Sequence, residues 1–149
     1  MVLAAYGDTL WKLLFLGHIV AIVVAFAPAA TSPFLAARSS NDGESEQIRV
    51  AGYLAANARQ IHFPALIAVG GFGILLVVQS GYDFDQAWVS LAILVWLAIG
   101  GVVSGVIMPA ERRVAAGDLA AEPRIAVGGQ IVTVLLLAML YLMIWKPGL

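Results

Sequence analysis

The two histidines, His18 and His62, are the side chains in this sequence best suited to chemistry in an apolar setting. Neutral imidazole donates a hydrogen bond from one ring nitrogen, accepts at the other, and ligates metals. His18 lies inside the apolar run LWKLLFLGHIVAIVVAFAPAAT, residues 10–31. Read as a helix, that run puts Ala21, Ala25 and Ala29 on the face of His18. Such a small-residue face admits a neighbouring helix or a flat cofactor. Trp11 and Lys12 mark the interfacial end, which places His18 about 10 Å below it at 1.5 Å per residue. The same depth on the other apolar segments falls at Gly71 to Gly73, at Trp96, and around Met139. Histidine with methionine is a known pair of haem-iron ligands. The candidate cofactor-binding set is therefore His18, Met139, Gly71 and Gly73, with His18 as the iron ligand and haem b or a quinone as the group bound. The alternative is an interhelical hydrogen bond from His18 to Trp96, Tyr141 or a backbone carbonyl. His62, beside Arg59, opens the second apolar segment. Both are expected at the interface, where His62 meets headgroups, a loop carbonyl or a partner. The two histidines fall at different depths, so one haem between them is not expected.

Other chemistry lacks its residues. Each Asp and Glu falls in a terminus or a connection, which deprives a proton relay or ion-coupled carrier of its usual intramembrane acids. There is no carboxylate pair for acid–base work and no Ser/His/Asp set at one depth. Two distant histidines and no cysteine make neither a zinc site nor a thiol nucleophile. An enzyme is not expected. A net charge of −1 gives no reason to expect nucleic acid as a partner.

The elements that position these residues follow from composition. Hydrophobic residues make up 62% of the 149-residue chain and charged residues 11%, against about 45–50% and about 25% in soluble domains. So small a globule has too little interior to bury that excess, so lipid must cover it. Four apolar segments, near 10–31, 61–80, 87–108 and 125–145, are each about long enough to span a bilayer as a helix. The expected fold is all-α: a four-transmembrane-helix bundle forming one domain over 1–149. Pro28 is expected to bend helix 1 and Pro33 to end it. Ala25-Phe26-Ala27 has the small-residue form of a signal-peptidase site, but Pro28 would follow the cut, so the segment is expected to be retained. A polar connection over 36–46 contains Ser39-Ser40-Asn41-Asp42-Gly43. Ile48, Ala51, Leu54 or Ala55, Ala58 and Ile61 then make an amphipathic helical stretch that continues into helix 2 with a bend near Pro64. Helix 2 carries Gly70-Gly71-Phe72-Gly73. Helix 3 carries Gly101 and Gly105 in GxxxG spacing and is expected to end at Pro109, before a charged connection over 111–124.

Arg38, Arg49, Arg59, Arg112, Arg113 and Arg124 flank the first and third connections, with Lys12 and Lys146 at the opposite end. The positive-inside rule then puts those connections in the cytoplasm of a bacterial inner membrane, with both termini periplasmic. Trp11, Tyr82, Trp88 and Trp145 form the outer aromatic belt. Ile67-Ala68-Val69-Gly70-Gly71 recurs as Ile125-Ala126-Val127-Gly128-Gly129. That is either a duplicated helix pair or coincidence in a chain rich in Ala, Val and Gly.

Trp11-Lys12, His18 and Ser32-Pro33-Phe34-Leu35 together resemble the first helix of haem-associated bacterial membrane proteins: the membrane protoporphyrinogen oxidases and the copper-resistance D-type proteins. That resemblance implies a haem-linked role for His18. The tryptophan-to-histidine spacing differs from theirs, and helix 3 lacks the lysine of their second position. Over nearly the whole chain, Arg59-Gln60-Ile61-His62-Phe63-Pro64, the Gly81-Tyr82 turn before Trp88, and Glu111-Arg112-Arg113 resemble a bacterial family of four-helix integral membrane proteins of unknown function. The expected function is a non-catalytic accessory or scaffold subunit of a larger respiratory or photosynthetic membrane complex, in contact with lipid and with other membrane subunits or further copies of itself. The competing expectation is a small electron-transfer protein that binds b-type haem or quinone through His18.

Overall fold

The structure is a computed structural model that describes residues 8–148. Four helices are each long and apolar enough to cross a membrane: α1 (Thr9–Asp42), α2 (Glu44–Ser80), α3 (Ala87–Ala115) and α4 (Leu119–Trp145). The described residues contain no strand. Large apolar side chains such as Leu16, Val23, Val78, Leu94 and Val134 point outward. In water that arrangement would be ruinous, but it is the natural outer surface of helices solvated by lipid. The chain has the form of a multi-pass integral membrane protein.

Asp8 caps α1 by accepting from the Leu10 N–H at 3.2 Å. The helix then runs 34 residues, about 50 Å at 1.5 Å per residue and well beyond a bilayer's hydrocarbon of about 30 Å. It neither ends at Pro33 nor opens into a loop over 36–46, as its local sequence suggests. The polar side chains are accommodated on the helix itself. Thr31, Ser39 and Ser40 hydroxyls donate back to the carbonyls of Ala27, Ala36 and Ala37 at 2.9–3.1 Å. The whole connection shrinks to Gly43, whose φ of +105° is one that L side chains resist.

Both prolines expected to disturb α2 and α3 do so by widening the helix. A π-helical turn at Ala58–His62 precedes Pro64, and another at Val103–Ile107 precedes Pro109. Proline has no N–H and its ring crowds the carbonyl four residues back, which a wider turn relieves. At Pro64, where a bend is expected, the helix changes to a π-helical turn and continues. The expected stop at Pro109 does not occur, and α3 continues as Met108–Ala115. The second charged connection narrows to 116–118, after which a 3₁₀ turn at Leu119–Ala121 leads into the main length of α4. Between α2 and α3, Gly81 ends α2 in the left-handed region. Tyr82 N–H bonds Val77 O and Gly81 N–H bonds Val78 O, a Schellman arrangement.

α1 packs chiefly along the second half of α2, and α3 along α4. The four helices meet where Leu66, Ile99 and Val132, from α2, α3 and α4, gather against Ala25 and Phe26 of α1. Gly128 lets α3 approach α4: a Cβ there would sit 2.6 Å from Ile107 Cγ1. Beyond this core, at the arginine-rich end, Glu44–Asn57 lies on the extension of α3. The contact is a small alanine-rich cap of Ala51, Ala110, Val114 and Ala121.

Glu111 belongs to the buried face of that extension. It is only 6% exposed, and its Oε2 finds no hydrogen-bond partner among the described residues. A carboxylate left so opposes folding, since nothing replaces its lost hydration. Glu111→Gln is expected to raise the stability at pH 8 by about 1 kcal/mol, read as a higher midpoint of thermal unfolding in detergent. A lower midpoint would mean that the carboxylate is held by a group outside the chain.

Candidate functional site

Both histidines are spent on the same helix pair, in opposite directions. His18 of α1 places Nδ1 3.0 Å from the Val69 carbonyl of α2. His62 of α2 places Nδ1 2.7 Å from the Val24 carbonyl of α1. A carbonyl only accepts, so each ring donates from Nδ1, and in a neutral ring the lone pair is then on Nε2. The two bonds differ in what they supply. Val24 lies four residues before Pro28, which has no N–H to offer its carbonyl. The His62 ring supplies that missing donor. Val69 lies four residues before Gly73 in an unbroken helix, so His18 adds a second donor to a carbonyl that already has one.

Glycines cut the space these contacts need. A Cβ at Gly73 would sit 3.4 Å from His18 Cε1, and one at Gly17 would sit 2.8 Å from Phe72 Cζ. Gly70 lies against the six-membered ring of Trp96, where a Cβ would fall on Cε2, Cζ2 and Cη2. That indole, from α3, donates Nε1–H to Leu66 O at 2.8 Å. Helix α2 is therefore held from one side by His18 and from another by Trp96, across one flattened turn.

Between the core and the tryptophan-bearing end, the four helices line a half-open apolar cavity of about 540 Å³, part of whose wall, at Phe15, Ile19, Leu140 and Ile144, is exposed on the outer surface. Phe26 and Ile99, at the edge of the core, close its inner end, and Trp11, Tyr82, Trp88 and Lys146 surround the outer one. Its polar wall groups are largely paired. Trp11 donates to Ser80 Oγ at 2.9 Å, and Trp88 to Gln86 Oε1 at 3.1 Å. Lys146 Nζ donates to Tyr82 OH at 2.9 Å and lies 4.6 Å and 5.2 Å from the Tyr82 and Trp88 ring centres. Lys146 takes a left-handed φ of +43° to end α4 there. No group of three or more His, Cys, Asp or Glu that could hold a metal ion occurs among the described residues.

Of the residues the sequence singles out, His18, Gly73 and Met139 line this one cavity. His18 is 9% exposed and turned inward, and of the partners open to it the structure selects a backbone carbonyl. Gly71 does not join the site; it is exposed, with nothing within 4 Å of where its Cβ would be. Arg59 is exposed at the other end of the bundle, and His62 turns onto α1. Trp11 with Ser80, and Lys146 with Tyr82 and Trp88, form the mouth. Trp11, Tyr82 and Trp88 are legible singly as belt residues, but the pairing with Ser80 and Lys146 requires the register of all four helices. The structure defines a four-helix membrane protein with a half-open apolar cavity between its helices. No family model, no curated protein and no solved structure matches the chain.

Proposed function

We propose that this chain is a non-catalytic integral membrane protein that holds a lipophilic ligand, of the quinone or haem class, in the cavity beside His18. The observation that carries this reading is the cavity itself. Its size falls among those of small-molecule sites, about 300–1,000 Å³, and it is apolar with few polar groups, as such sites are. Met139 offers a soft thioether in the same wall. A haem would also bring two propionates, whereas the cation the wall provides is Lys146 at the mouth; that favours a less charged ligand. Native mass spectrometry and absorption spectra of the protein in nanodiscs made directly from its membrane test the reading. A bound small molecule is expected, and Ala92→Phe, which drives a ring into the cavity from its buried wall, is expected to expel it while the bundle stays folded. Finding bulk phospholipid alone would sink the reading.

A second reading, an accessory or scaffold subunit of a larger membrane complex, is favoured by a different observation. Gly71, Gly101, Gly105 and Gly129 each have nothing within 4 Å of an added Cβ. They are flat places on apolar helices, the kind that another chain or a second copy can approach closely. The same spectra report the mass of any such chain. The arginine-bearing connections support an inner-membrane orientation with both termini periplasmic. Reporter fusions at Asn41 and Gly117 are expected to read cytoplasmic, and one at Asp83 periplasmic; a periplasmic signal at Asn41 would reverse the assignment.

A further inference from the structure

From the proton on His18 we infer that the cavity selects a ligand presenting a hydroxyl hydrogen, a quinol rather than its quinone. This rests on the reading of the cavity as a ligand site and adds to it the chemical form of the ligand. The Val69 carbonyl at 3.0 Å fixes the ring proton on Nδ1. The edge bearing Nδ1 and Cε1 lies against Val69 and Gly73. That leaves Nε2 as an acceptor with no bonding partner among the described residues, on a side chain that is 9% exposed and lines the cavity.

The surrounding wall sharpens the choice. Of the indoles that line the cavity, Trp96 has given its N–H to Leu66, and Trp11 and Trp88 have given theirs to Ser80 and Gln86. A ligand that brings only carbonyl oxygens to the level of His18 therefore meets an acceptor and spent donors. It leaves the imidazole lone pair unsatisfied and loses its own hydrogen bonds on leaving the interface. A phenolic hydroxyl satisfies both at once by donating to Nε2. The ring could offer a donor there only as an imidazolium, and no Asp or Glu lines the cavity to balance that charge. The rest of the wall suits an aromatic head with an apolar tail: Phe15, Ile19, Ile22, Leu136, Leu140 and Ile144 are all hydrocarbon.

The test compares a decyl-tailed benzoquinol, kept reduced under anaerobic conditions, with the quinone made by oxidising it. Binding to the protein in nanodiscs is read by quenching of tryptophan fluorescence and checked by competition between the two forms. The quinol is expected to bind at least tenfold more tightly. In His18→Phe the preference is expected to fall to about onefold through loss of quinol affinity, with quinone affinity nearly unchanged. His18→Gln, which keeps a polar side chain and adds an N–H donor, is expected to regain quinone binding relative to quinol; it also shows whether the effect follows hydrogen-bond polarity or simply folding. Equal binding of the two forms by the wild-type protein overturns the inference while leaving a lipophilic site intact. Binding of neither overturns the site as well. Purified wild-type protein with a Soret band that His18→Phe removes would make Nε2 an iron ligand and overturn the quinol.

Discussion

Replacing Gly70 by alanine is expected to unseat Trp96 and to lower the stability of the bundle by about 3 kcal/mol. A Cβ at Gly70 would fall on the indole, 2.8 Å from Cη2 and closer still to Cε2 and Cζ2. The obstacle is a rigid ring, not the flexible end of a side chain, so the clash cannot be relieved by a small torsion. To make room, Trp96 must leave Leu66 O, which breaks the 2.8 Å hydrogen bond that ties α3 to α2. Overpacking of this kind costs about 1–3 kcal/mol and the lost bond about 1 more. Gly71→Ala is the matched control, because nothing lies within 4 Å of its Cβ position; replacing glycine in a helix there is expected to be neutral or slightly stabilising. Unfolding of the two variants in mixed micelles, followed by near-ultraviolet circular dichroism of the tryptophans, separates them. Equal stabilities would show that Trp96 is not seated on α2.

Adjacent glycines with opposite expected behaviour show where the sequence stops being informative. The four apolar spans, the amphipathic stretch ahead of Phe63 and the irregular turn before Pro64 are local properties, set by composition, periodicity and a missing N–H, and all are legible. So is the inward turn of His18, because a polar ring in hydrocarbon has few affordable places to point. The pattern Gly70-Gly71-Phe72-Gly73 says that α2 is flat there. Which glycine receives Trp96, which receives His18 and which is left bare depends on the rotation of α2 against two other helices, a tertiary fact. The ends of α1 and α3 misread for a related reason. Pro33 and Pro109 break helices when nothing stabilises the turn beyond them. Here Ser39 and Ser40 bond back onto α1, a π turn absorbs Pro109, and the continuations bury Ala110 and Val114 against Ala51. Packing outweighs the local rule.

The histidines reverse their apparent importance to the fold. Deep placement draws attention to His18, yet Val69 O already has a helical N–H, so His18→Leu is expected to cost little. His62 sits nearer the arginine end and is the donor that Pro28 makes necessary. His62→Leu is expected to cost about 2 kcal/mol, since it strands the Val24 carbonyl between α1 and α2. Pro28→Ala should remove most of that penalty, because the alanine would supply the missing N–H and close the ordinary bond to Val24 within α1. In the Pro28→Ala background, His62→Leu is therefore expected to cost only about 0.5 kcal/mol. The coupling between positions 28 and 62 is read from a double-mutant cycle by reversible unfolding in micelles. Four stabilities suffice: wild type, each single variant, and the pair. Additive effects would mean that Val24 O is satisfied without His62, and that the 2.7 Å contact across α1 and α2 is packing rather than the replacement of a bond that proline removed.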